Sequence, residues 1–289
     1  MVKTLDWQNL LRLCVFLILL GRAYQFFFFG APFRAILWDE SLLSPIVEGV
    51  FNISWYEYST NLKVNSWIET FTHFCGLLFL CSGLTVLFWK KLKSLRFKRF
   101  MLKLGILLLF VLTFLIFKSK NFRVLEIFEM LIQLSLPIAL LKLNDNNKEK
   151  VTLFLKVAIA LTFTAHGLYA MGIPFRPGHF IDMTIGITGI TEPSAVLFLT
   201  IAGILDIAAS LLLFNKYTSK YALGYIFIWG LLTALARVIY GFSASFILNS
   251  LHESLYSTVY RLPHGLIALV VFLLLYSSFT FTKNTTHEK

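Results

Sequence analysis

Charge is scarce in this chain. Of its 289 residues only 14% are Asp, Glu, Lys or Arg, while 57% are hydrophobic. A soluble globular domain carries roughly 25% charged residues, so this chain could not cover a water-facing surface of ordinary size. Acidic residues are the rarer sign, 15 against 26 basic ones. Cysteine is nearly missing. Cys14, Cys75 and Cys81 each lie in an apolar run, with no Cys-x-x-Cys and no metal-ligand spacing, and read as small buried side chains. There is no phosphate-binding loop, no dinucleotide glycine pattern and no nucleophile elbow. That excludes an ATP-driven pump and a hydrolase of the soluble type.

What is present is length in the apolar runs, which reach the ~20 residues a bilayer crossing needs. Thirty Phe residues add to this, a residue readily accepted facing lipid. Spans are expected at residues 9–29, 67–89, 100–117, 124–142, 152–171, 193–214, 221–241 and 263–281. The first could pass for a secretory signal, since Lys3 and Arg12 precede Leu13–Leu20. However, Gly21-Arg22-Ala23 is a poor cleavage site and Phe26–Phe29 prolongs the segment, so it reads as an uncleaved span. Pro263 fits the first turn of the last span, where its missing N–H breaks no helix bond. Pro137 predicts a kink in the fourth. The fold class is an all-α polytopic membrane protein of about eight transmembrane helices, read as two tandem four-helix units, residues 1–145 and 146–289.

Position explains the excess of positive charge. Lys90, Lys91, Lys93, Arg96, Lys98 and Arg99 crowd one short connection, as Lys and Arg do in cytoplasmic loops. Such a linker is no nucleic-acid surface. With both termini cytoplasmic, residues 30–66 and 172–192 lie outside as long connections. Their aromatic, acidic and Pro/Gly residues suit short interfacial helices. The cluster Lys118–Arg123 falls on the outer side and is discordant. The localisation implied is the inner membrane of a bacterium, with the lipid bilayer as partner, other membrane proteins as candidate partners and no nucleic acid.

The two long connections begin alike. Gly30-Ala31-Pro32-Phe33-Arg34 follows the first span and Gly172-Ile173-Pro174-Phe175-Arg176 follows the fifth. At equal offsets Trp38 matches Phe180 and Glu40 matches Asp182; later, Gly76–Phe88 aligns with Ala202–Phe214. A duplication of four spans is the reading, with both copies in the same orientation because four is even.

Ionisable groups inside a bilayer are expensive and need a partner or a wet cavity. The second half holds His166, Asp206 and Arg237 within spans. Asp206 and Arg237 could form an ion pair that fixes packing, or Asp206 could titrate at a proton or quinone-headgroup site with His166 donating. The first half holds Arg22, Tyr24 and Gln25, then Glu69 and His73, then Glu126, Glu129 and Gln133 on one face of the fourth span. Glu129 or Glu69 is the expected partner of Arg22. A third group, His179, Asp182, His252, Glu253, Arg261 and His264, gathers towards the outer face. Solvated rim residues are its simplest reading, since no His-Glu-x-x-His is present and no metal site is assigned.

Residues 151–275 resemble the DoxX-like family of small four-helix membrane proteins. Thr164-Ala165-His166-Gly167-Leu168, Ala202-Gly203-Ile204-Leu205-Asp206-Ile207 and Arg261-Leu262-Pro263-His264-Gly265 carry the resemblance. Asp206 stands where the family tends to have Glu, the Lys that often follows the His-Gly pair is missing, and Tyr24 occupies the place of His166 in the first half. The family includes subunits linked to quinone-dependent sulfur oxidation and many members of unknown role. What the resemblance implies is a quinone as candidate cofactor. The candidate ligand set is His166, Asp206, Arg237, Arg261 and His264, with Arg22, Tyr24, Glu69, His73, Glu129 and Gln133 as a second set and no catalytic residue assigned. A small-molecule or lipid transporter and a non-catalytic scaffold or accessory subunit are the alternatives.

Overall fold

A computed structural model describes residues 6–142 and 147–276. The elements in chain order are α1 (Trp7–Phe28), α2 (Arg34–Leu37), α3 (Glu40–Gly49), α4 (Trp55–Thr60), α5 (Leu62–Leu87), α6 (Leu95–Ser119), α7 (Val124–Lys142), α8 (Lys148–Met171), α9 (Gly178–Thr188), α10 (Glu192–Leu212), α11 (Ser219–Gly241) and α12 (Ile247–Tyr276). No strand occurs among the described residues. Eight of these helices, α1, α5 to α8 and α10 to α12, are long and apolar enough to cross a membrane. Their outward faces are greasy: Leu107, Phe110 and Phe114 of α6 and Leu197, Ile201 and Ile204 of α10 are exposed. Faces of that kind are stable against lipid and costly against water. The chain is an all-α, multi-pass membrane protein.

The chain divides into two compact units, Leu19–Ile127 and a larger one of Met1–Ile18 with Phe128–Lys289. In the smaller, α5 packs along α6, and α2 to α4 fill the connection after α1. That connection is helical because local groups satisfy its helix starts: the side chains of Asp39 and Ser54 accept from the Leu42 and Glu57 amides. The Asp39 carboxylate also pairs with Lys118 at the end of α6. Lys118 thereby lies against residues 30–66 with a counter-charge there, and the third and fourth spans stand close to their expected positions.

In the larger unit α8 packs along α10 and α11 along α12, with α9 against α10 and α11. Both long pairings depend on glycine. A Cβ on Gly167 would stand 2.7 Å from the Gly203 carbonyl oxygen, and one on Gly230 would stand 2.7 Å from the Gly265 nitrogen. Small residues at these crossings let backbones touch, which is how helices associate where lipid competes for every apolar side chain.

Seven spans start or end within a few residues of the expected positions. The last does not. Helix α12 begins at Ile247, so Pro263 lies inside it and His264 is mid-helix instead of first-turn. The stretch before Pro263 holds Ser250, Ser254, Ser257 and Thr258, too polar to read as a span. Its hydroxyls are satisfied on backbone carbonyls, Thr258 on Ala234 of α11 at 3.0 Å. The expected continuation to residue 281, and Lys3, Lys283 and Lys289, lie outside the described residues. Pro137 sits within α7.

Candidate functional site

A cavity of about 280 Å³ lies within the larger unit, walled by α8 to α12. Phe163, Phe180, Phe198 and Trp229 give it aromatic walls. All five residues of the first candidate set, His166, Asp206, Arg237, Arg261 and His264, line it. Asp206 and His264 are buried and the other three half-buried, and ionisable groups in membrane-spanning helices persist only where they meet partners or a cavity.

The expected Asp206–Arg237 ion pair is not formed. Asp206, 3% exposed, accepts a hydrogen bond from the Tyr225 hydroxyl at 2.8 Å, while Arg237 Nη1 donates to the Thr233 carbonyl at 2.7 Å. The cause is helical rise. Arg237 is twelve residues beyond Tyr225 on the same helix, about 18 Å along its axis, so a carboxylate beside Tyr225 is far from the Arg237 backbone. The two mark different depths of one cavity.

Between those depths runs a polar stripe. Glu129 Oε1 lies 3.1 Å from His166 Nδ1, and the His166 and His264 rings are 6.0 Å apart between centroids. His264 Nδ1 is 3.0 Å from the Arg261 carbonyl oxygen. A carbonyl only accepts, so Nδ1 carries the hydrogen and Nε2 of the neutral ring presents a lone pair. His264 is 5% exposed, and that Nε2 has no hydrogen-bond partner among the described residues. Arg261 Nε is likewise buried without a partner; the guanidinium lies 5.9 Å from the Tyr260 ring centroid. Arginines within membrane-spanning helices persist where they face a partner or a cavity, and these two face the same one. Their field reaches α9: burial first, then Arg237 and Arg261, holds the His179 imidazole below its ordinary pKa, against smaller opposite pulls from Glu129 and Asp182.

The second candidate set divides. Glu129 belongs to the cavity cluster through His166. In the smaller unit Glu69 takes Arg34 at 3.2 Å and the Asn65 amide at 2.9 Å, at a half-exposed position. Arg22, 4% exposed, donates to Gln25 at 2.5 Å. Of the two carboxylates expected to serve Arg22, Glu69 takes Arg34 and Glu129 takes His166. Tyr24 packs on Phe28, His73 stacks near Phe27, and Gln133 is buried on α7. Of the rim group, Arg261 and His264 move into the cavity, whereas His252 and Glu253 are exposed. Among the described residues no three His, Cys, Asp or Glu side chains converge as metal ligands. Tyr225 was missed from sequence; its only signal is a phenol on the helix facing a buried Asp.

Compared with protein-family models, with curated proteins and with solved structures, the chain has no match. Fold and chemistry therefore define its class by themselves: a multi-pass all-α membrane protein with a mostly apolar, ionisable-striped cavity inside its larger unit.

Proposed function

We propose that the protein is a DoxX-like membrane protein of a bacterial inner membrane that binds a quinone in this cavity and serves membrane redox chemistry. The supporting observation is an aromatic-walled cavity of about 280 Å³ beside Asp206, with hydrogen-bonding groups confined to one stripe. A quinone needs that division: an apolar pocket for ring and tail, and a few donors for two carbonyl oxygens. The two guanidiniums supply donors. Asp206 and Tyr225 offer a hydroxyl–carboxylate pair at the other end.

Both termini cytoplasmic and a tandem duplication, 1–145 and 146–289, belong to the same proposal. The duplication is supported by a shared local design. Gly30 and Gly172 both adopt left-handed backbone, at φ +75° and +87°, which glycine enters without strain. In each copy the Arg four residues on reaches the next span, Arg34 to Glu69 of α5 and Arg176 to Thr200 of α10 at 3.0 Å.

The test is quenching of Trp229 fluorescence by a short-chain ubiquinone or menaquinone in lipid nanodiscs. Saturable quenching that weakens in Asp206→Leu and His166→Ala is the expected result; quenching that is linear in quinone, as from free partition into lipid, sinks the reading. A transporter of small amphiphiles is the second reading. The cavity accommodates it, and ligand flux in vesicles separates the two. A scaffold whose charges serve only packing is the weakest, because Arg237 and Arg261 have no carboxylate within 4.0 Å among the described residues.

A further inference from the structure

Arg237 and Arg261 line one cavity, each within electrostatic reach of the other, and neither is neutralised by a contact carboxylate among the described residues. Glu129 is also within electrostatic reach, but its Oε1 is taken by His166 at 3.1 Å. Asp206 is held by Tyr225 at the far depth. Arg237 spends one of its five N–H donors on the Thr233 carbonyl, and the Arg261 guanidinium makes no hydrogen bond among the described residues, lying over the Tyr260 ring. Beside them the His264 Nε2 lone pair is buried with nothing to accept from. Half-buried cations with spare donors, and a buried acceptor next to them, together lack one thing: a group with an acidic O–H.

We infer that the cavity takes an amphiphile with a weakly acidic hydroxyl head, bound as its anion between Arg237 and Arg261 with its proton on His264. This rests on the cavity being a ligand site and names the charge of what it holds. The neutral acid is the form that partitions through lipid. In the site its O–H bond breaks, an N–H bond forms at His264 Nε2, and the electron pair stays on the oxygen, facing two guanidiniums. No oxidant or reductant is needed. The titratable and charged groups that face His264 or its cavity are Glu129 from α7, His166 from α8, Asp206 from α10, Arg237 from α11 and Arg261 on its own helix. The anion offsets the repulsion that an imidazolium there would meet from the two arginines.

An acidic O–H head of this kind has two sources, the carboxyl of a fatty acid and the ring hydroxyl of a hydroxyquinone or quinol. One experiment covers both. Binding to the full chain in nanodiscs is measured by thermal shift and native mass spectrometry. The probes are decanoic acid, decanol, an alkylated 2-hydroxy-1,4-naphthoquinone and its 2-methoxy analogue. Each acidic probe is compared with its neutral partner. At least one acidic probe should bind about thirtyfold or more tighter than its partner, the size expected when a buried charge pair is lost. Arg261→Gln and Arg237→Gln should erase that preference and Arg261→Lys should keep part of it. Should a Gln variant fail to fold, the wild-type comparison alone decides. Preference for decanoic acid assigns the fatty-acid source, and preference for the hydroxyquinone the redox source. Binding of the quinones with no preference for the acidic member in either pair overturns the anion inference and leaves the quinone reading standing. Binding of none of the four overturns both.

Discussion

Glu129 and His166 meet at 3.1 Å across α7 and α8, each about one-fifth exposed. The same helices are joined one turn away, where Thr162 donates to the Phe128 carbonyl at 2.8 Å. The contact fixes one imidazole nitrogen, because a carboxylate oxygen holds Nδ1 and leaves the other ring nitrogen for the cavity.

Replacing Glu129 with Ala should destabilise the fold by about 2 kcal/mol, below the full cost of breaking a buried pair because both groups keep some exposure. Glu129→Gln retains an acceptor and should lose less. Thermal unfolding in detergent measures both. Equal melting temperatures for Ala and wild type would show the pair to be idle.

Tyr225→Phe should cost about 1–3 kcal/mol, since the buried Asp206 carboxylate loses the Tyr225 hydroxyl and keeps only Trp229 as a side-chain donor among the described residues. Asp206→Asn keeps an acceptor for Tyr225 and should cost less. Arg237→Gln should not rescue Asp206→Asn, and the two changes should add to within about 0.5 kcal/mol. Rescue beyond that would restore the ion pair that the geometry denies.

The helix crossings predict opposite outcomes for two glycines on α11. Gly230→Val should prevent recovery of folded protein, because the added carbons meet the α12 backbone. Gly224→Ala meets nothing within 4 Å and should be neutral or stabilising by about 0.5–1 kcal/mol through helix propensity. Size-exclusion recovery and melting temperature report both, and a tolerated Gly230→Val would mean that α11 and α12 do not pack as described.

Lys118, first, and then Ser41 hold the Asp39 carboxyl down at about 2, from 3.8. A pKa lower in the folded than in the unfolded chain stabilises above the unfolded value and is lost on acidification. The start of α3 should therefore stay protected down to about pH 4 and loosen as pH falls towards 2. Hydrogen-exchange protection of the Leu42 and Leu43 amides measures this, and Lys118→Met should remove the dependence. A wild-type profile flat over that window would dismiss the link.

On the proposed topology with both termini cytoplasmic, Ser59→Cys in a background lacking Cys14, Cys75 and Cys81 should react with an impermeant maleimide from outside. Ser94→Cys should react only after the membrane is opened. Reaction of position 59 from the cytoplasmic side alone would invert the topology.

The sequence by itself determined the class and the spans. Apolar runs of bilayer length admit one physical reading, because an unsatisfied backbone in lipid leaves only helices for chains of this pattern. It also picked out His166, Asp206 and Arg237, because burying charge is costly wherever the helices happen to sit, whereas Arg261 and His264 read from the residues as rim groups and joined the set only through the family resemblance. Tertiary structure decided who meets whom. Glu129 joins His166 through a contact between helices that no spacing encodes, and Asp206 takes Tyr225 instead of Arg237 because register between α10 and α11 is set by packing. The start of α12 was hidden for a related reason. Ser250, Ser254 and Thr258 look like loop until α11 supplies the surface against which they are buried, and a proline rule that holds at helix starts misplaces Pro263 when neighbouring helices support it from within.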